Sequence, residues 1–187
     1  MCRLRLAEWI TSSLFTFFSL SSTFRAALLL CLTPAALLAD THTWTGGAGS
    51  GNYLATTPAN WGGTAPETND DIVLNATSSS NMTWNLTNMT VASWTQAGYT
   101  GTVTMATVYG TTGFTNFNIL GNCIISNGVW THVANPAVNN EVNRLSVTIG
   151  GNLIVGTNGA INVLGKGYTN GRGPGYIPNS IWNSGGY

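Results

Sequence analysis

The chain has 187 residues, of which 6 are Lys or Arg and 6 are Asp or Glu, so its formal net charge is zero. At 6% charged residues, against about a quarter in an ordinary soluble chain, the surface must be wetted by Thr, Asn, Ser and Gly. So few charges build no basic face for nucleic acid, and the length is that of a single domain of ordinary size.

The first 39 residues stand apart. Arg3, Arg5 and Arg25 precede the apolar run "AALLLCLTPAALLA" at 26–39, and a basic start, a short apolar core and a small final residue describe a secretory signal peptide. Cleavage is expected between Ala39 and Asp40. The apolar run is shorter than the roughly 20 residues that cross a bilayer, so no stable membrane span is expected after cleavage. What remains carries Asp40, Glu67, Asp70, Asp71 and Glu141 against Arg144, Lys166 and Arg172, a net charge of −2. Cys2 and Cys31 leave with the signal, so Cys123 stands alone and no disulfide framework can form within the chain. It is expected as a small buried hydrophobe.

Residues 40–74 read as an amino-terminal cap. "THTWT" is strand-like, Pro58 and Pro66 punctuate loops, Asp70 and Asp71 stand before the apolar "IVL", and Trp44 and Trp61 are large enough to fill a small interior. No helical periodicity occurs here. Residues 75–165 follow as short strands: "TWNLTNMTVASW", "GTVTMATVYG", "FNILGNCIISNGVW", "LSVTIGGNLIVG" and "GAINVLG". Alternation of apolar and polar residues with Gly or Asn at each end marks half-buried strands.

Two of these segments align without a gap. Phe117, Ile119, Gly121, Asn122, Ile124 and Ile125 fall on Val147, Ile149, Gly151, Asn152, Ile154 and Val155, and recurrence at such a period marks a solenoid. The expected architecture is all-β, a right-handed parallel β-solenoid, with an antiparallel β-sandwich as the alternative. Ile119 should lie on Ile149 and Ile125 on Val155, on stacked parallel strands. Residues 166–187 are glycine-rich without apolar periodicity and read as a loop or linker. The next coil would then have to cover Ile161 and Val163, and the chain reads as the amino-terminal fragment of a longer protein.

The signal segment, the opening "TWTGGAGSGNY…ANWGG…APETNDDIVL", rungs of the form "VTIGGNLIVGTNGAINV" and the "GKGYTNGRGPG" loop together resemble the large secreted parallel β-helix proteins of bacteria. These include autotransporter-like passenger domains and related cell-surface repeat proteins. The resemblance covers nearly all of residues 40–175, and Tyr53 stands where such openings commonly carry another tryptophan. It implies a secreted or surface location and a repeat architecture more than it implies a chemistry.

Candidate chemistry is sparse. Two carboxylates at a suitable separation can hydrolyse a glycosidic bond, but Asp70 and Asp71 are adjacent, so on a strand they point to opposite faces and in a loop they cap the turn before "IVL", which leaves only Glu67 and Glu141 to join them. Lyases of similar fold use clustered acids for calcium and a basic residue for proton abstraction, and only Arg144, Lys166 and Arg172 are available. His42 and His132 are ninety positions apart with no partner at a ligand spacing, so no metal, cofactor or nucleotide site is expected, and the "GKGY" and "GRGPG" glycines lack the strand and helix of a phosphate loop. Six tryptophans remain after the signal; Trp94 and Trp130, each beside a polar turn, are the candidates for an exposed sugar-stacking platform. Asn75, Asn81, Asn85 and Asn88 head glycosylation sequons that would matter in a eukaryote. The reading is a non-enzymatic secreted or cell-surface stalk with an adhesive role, partnered by extracellular glycan or a neighbouring cell surface. The alternative is a carbohydrate-binding or polysaccharide-cleaving β-helix whose active residues lie beyond Tyr187.

Overall fold

A computed structural model of the chain describes residues 39–87, 89–169 and 171–173. The expected signal segment before Ala39, Asn88 and the tail from Pro174, including Trp182, lie outside the described residues. In chain order the strands are β1 (Thr41–Thr43), β2 (Asp71–Leu74), β3 (Met82–Trp84), β4 (Thr90–Val91), β5 (Ser93–Gln96), β6 (Thr102–Met105), β7 (Phe117–Ile119), β8 (Cys123–His132), β9 (Val147–Ile149) and β10 (Leu153–Ile161), with a 3-10 turn at Pro58–Trp61. No helix among the described residues is long and apolar enough to cross a membrane.

Every pairing between these strands is parallel. The chain is a parallel β-solenoid of about four turns, which excludes the antiparallel sandwich. One face carries β1, β2, β5 and the first halves of β8 and β10. A second carries β3, β6 and the second halves of β8 and β10. The third carries β4, β7 and β9. Thr41 pairs with Asp71, Asp71 with Ser93, Trp94 with Cys123 and Cys123 with Leu153, so the register advances by 30, 22, 29 and 30 residues. Residues 40–74 supply the first two strands of the long face as well as the Trp44 and Trp61 side chains.

The alignment of rungs holds in register. Ile119 pairs with Ile149 and Ile125 with Val155, and Leu153 occupies the place of Cys123 one coil on. Alternation explains the faces: in "DIVL", "SWTQ" and "TVTM" the second and fourth residues are buried, while Thr, Ser and Asp face outward. The Gly-Asn corner stacks as well, since Gly151 N–H donates to the Gly121 carbonyl at 2.9 Å and Asn152 N–H to Asn122 Oδ1 at 2.9 Å.

β8 bends between two faces at Asn127–Gly128. Gly128 has φ of 77°, and a Cβ there would lie 2.6 Å from Gln96 Nε2 and 2.8 Å from the Gly101 carbonyl oxygen. Both the left-handed backbone and the close approach therefore require glycine. Its register partner in β10 is Gly159, where a Cβ would collide with the Ile125 carbonyl.

The interior is a column of aromatic rings. Trp44 and Trp61 meet at 5.1 Å, Trp61 and Trp84 at 6.4 Å, Trp84 and Trp94 at 5.1 Å, and Trp94 and Trp130 at 5.2 Å, all edge-to-face. Phe117 sits 4.8 Å from Trp84. Rings of this size bury about 150–250 Å² each, which at about 25 cal/mol per Å² is roughly 4 to 6 kcal/mol of gross stabilisation apiece. Among the described residues the only cysteine is the free Cys123 and two ion pairs occur, so this burial is the main source of stability there.

Candidate functional site

The tryptophans expected to form a platform do not. Trp94 is 0% and Trp130 1% exposed, because both point into the column, and their indole N–H groups both donate to Gln96 Oε1, at 3.4 and 3.0 Å. A sugar ring cannot reach either face. Ala39 and Asp40, flanking the expected cleavage point, are both exposed.

The acids divide into separate structural roles. Asp70 closes the turn before β2: its carboxylate accepts the Asp40 N–H at 3.0 Å and the Glu67 N–H at 2.7 Å, and His42 Nε2 lies 3.0 Å from it. Asp70 is buried and His42 half-buried, and the His42 ring also meets Trp61 edge-on at 6.3 Å. All three partners are structural, which agrees with a turn-capping role. Asp71 accepts from the Ser93 hydroxyl one coil on. No group of three or more His, Cys, Asp or Glu capable of holding a metal occurs among the described residues.

Glu141 and Arg144 belong to a different place. The irregular segment 133–146 leaves β8 and is strapped down on both sides. The Val108–Asn143 bridge and the bonds from Tyr109 N–H to the Val142 carbonyl at 2.8 Å and from Arg144 N–H to the Thr107 carbonyl at 3.2 Å hold it to the preceding coil. Asn135 clamps it from within: its side-chain N–H₂ donates to the Asn143 and Lys166 carbonyls, and its oxygen accepts from the Val142 and Asn143 N–H groups. A buried amide with every polar atom engaged in this way fixes the loop geometry.

Between this loop and residues 163–168 lies a cleft of about 530 Å³. Its walls carry His132, Glu141, Asn143, Arg144 and Tyr168, with Leu145 and Val163 as the apolar part. Arg144 holds Glu141 through two parallel hydrogen bonds of 2.8 Å. Those bonds, and secondarily the charge of Arg144, hold the Glu141 carboxyl below its ordinary range and raise the guanidinium above its own. The guanidinium also lies 4.2 Å over the Tyr109 ring. His132 is only 6% exposed. Its Nδ1 lies 2.8 Å from the Val133 carbonyl, an acceptor only, so that nitrogen carries the proton, and Nε2 has no partner among the described residues.

From the sequence, Glu141 is a candidate carboxylate and Arg144 a candidate base, with nothing that pairs them. In a chain with so few charges, an acid and a base three positions apart in an aperiodic loop were the available signal for the cleft; Asn135 and Tyr168 had none.

The end of the stack is the second distinctive surface. Ile125 is 0% exposed, whereas Val155, on it in register, is 45% exposed. Leu153, Ile161 and Val163 are similarly open, and Leu153 and Ile161 join Trp130, Leu145, Val147 and Ile149 around an apolar depression of about 200 Å³. Comparison with protein-family models, with curated proteins and with solved structures gives no match.

Proposed function

We propose that this chain is exported, loses residues 1–39, and forms the first coils of a longer non-catalytic β-solenoid stalk on a bacterial cell surface, of the autotransporter-like kind. The observation that carries the reading is the open apolar row on β10. Leu153, Val155 and Ile161 lie on Cys123, Ile125 and Trp130, residues that are wholly buried one coil below, so a coil added on top would extend the same column. A surface with few charges and many Thr and Asn side chains suits the outside of a cell, and the carboxylates of Asp70 and Asp71 are engaged in structural hydrogen bonds.

The test is fractionation of the producing cells followed by amino-terminal sequencing of the surface product. Sequence beginning within a few residues of Asp40, together with proteolytic release of the protein from intact cells, is the expected result. A cytoplasmic product retaining Met1 ends the proposal.

A further inference from the structure

The cleft between residues 133–146 and 163–168 carries unused hydrogen-bonding capacity. His132 Nε2, Asn143 Oδ1, Arg144 Nη1 and the Tyr168 hydroxyl have no partner among the described residues, although the other polar atoms of His132, Asn143 and Arg144 are engaged. The residues that bear them line the cleft, on walls that Asn135 and the Glu141–Arg144 pair already hold in place.

The chemistry of this set is selective. Glu141 and Arg144 cancel one another's charge, so the cleft has no strong pull on an anion or a cation. Acceptors outnumber donors: His132 Nε2, Asn143 Oδ1 and the open lone pairs of Glu141 face one guanidinium nitrogen and one phenol. Hydroxyl groups, which donate and accept, match that balance, whereas a carboxylate or phosphate brings only acceptors. Leu145, Val163 and the Tyr168 ring offer apolar surface to the C–H face of a ring. A volume of about 530 Å³ falls within the range of roughly 300 to 1,000 Å³ typical of small-ligand sites.

We infer that this cleft binds a neutral pyranose residue of a glycan, held by hydroxyl contacts to His132, Glu141 and Asn143 and by ring contact with Tyr168. The inference is independent of the stalk reading, because it concerns binding by the purified chain and not where the chain resides.

The test is calorimetry and saturation-transfer NMR on the purified full chain. The probes are D-glucose, D-galactose, D-mannose and N-acetyl-D-glucosamine, with D-glucuronate and inorganic phosphate as charged probes. At least one neutral sugar should bind in the millimolar range, with the charged probes weaker by about tenfold, and Tyr168→Ala and Glu141→Gln should each weaken it by about tenfold, the worth of one good contact. Each variant is first required to melt cooperatively, so that loss of binding is not loss of fold. The inference is overturned by a cooperative variant that binds like the parent, by tighter binding of glucuronate or phosphate, or by the absence of binding to all four neutral sugars.

Discussion

Trp130 donates its indole N–H to Gln96 Oε1 at 3.0 Å, deep in the column and across one coil. The same oxygen lies 3.4 Å from the Trp94 indole nitrogen, and Gln96 Nε2 donates to the Asn127 carbonyl at 2.6 Å. One amide thus satisfies two indoles and the backbone at the bend of β8. Gln96→Leu strands these groups in an apolar interior, at about 1 to 3 kcal/mol for each. Urea unfolding should show a loss of about 3 kcal/mol or more; an unchanged midpoint would mean that water replaces the amide.

Ile125 and Val155 occupy the same column position, one covered and one open. Ile125→Ala should cost about 2 to 5 kcal/mol, as a buried large-to-small change does. Val155→Ala should cost under about 0.5 kcal/mol in the present chain, since nearly half of that residue already meets solvent. In a longer chain carrying the coils proposed to follow, the Val155 penalty should rise to about 1 kcal/mol or more and the parent melting temperature should increase. Equal melting temperatures would show that the column gains nothing from further coils.

Cys123 is fully buried, and desolvation pushes its thiol up to about 12. At pH 8 the thiolate fraction is then on the order of one in ten thousand, and the thiolate is the reactive form. Iodoacetamide treatment followed by mass-spectrometric mapping, which separates Cys123 from Cys2 and Cys31, should find Cys123 unmodified until urea unfolds the chain. Prompt modification in the native state would contradict the burial.

The Glu141 carboxyl is held below its unfolded value by the Arg144 hydrogen bonds. Its contribution to stability is therefore present above the unfolded carboxylate value, about 4.3, and is lost as pH falls through the depressed folded value. Both side chains are partly exposed, so screening keeps the effect small. Glu141→Gln should lower the melting temperature by about 1 to 2 °C at pH 7, with the difference from the parent shrinking as pH approaches 3. A difference that grows on acidification would reverse the sign and refute the assignment.

The rungs were legible because strand alternation and the Gly-Asn corner repeat together, and only stacking puts both in register. The direction of the tryptophans was not. A polar Gln96 shares one face of the strand with Trp94, so the pattern does not declare which side of "SWTQ" faces inward; the amide is inside because the indoles need it. For Trp130 the inward parity set by Cys123 and Ile125 shifts by one at the Gly128 bend, which a count along the sequence misses. The step of 22 residues from Asp71 to Ser93 escapes any search for a fixed period, since a shorter corner leaves the face unchanged. The cleft was illegible for a related reason: 133–146 is aperiodic, and its geometry comes from Asn135 bonds to carbonyls and N–H groups that no residue pattern encodes.

The parallel register also sets how such a stack answers a pull. Its inter-coil hydrogen bonds run along the stacking direction, from each coil to the next, so tension applied between the first and last coils loads them along their own length and the outermost coil separates before its neighbours are disturbed. A coil of some 30 residues lengthens by on the order of 100 Å when drawn out. Extension under load should therefore proceed as a series of small, nearly equal releases at low force, and the column would yield gradually where a sandwich loaded in shear would hold and then fail at once.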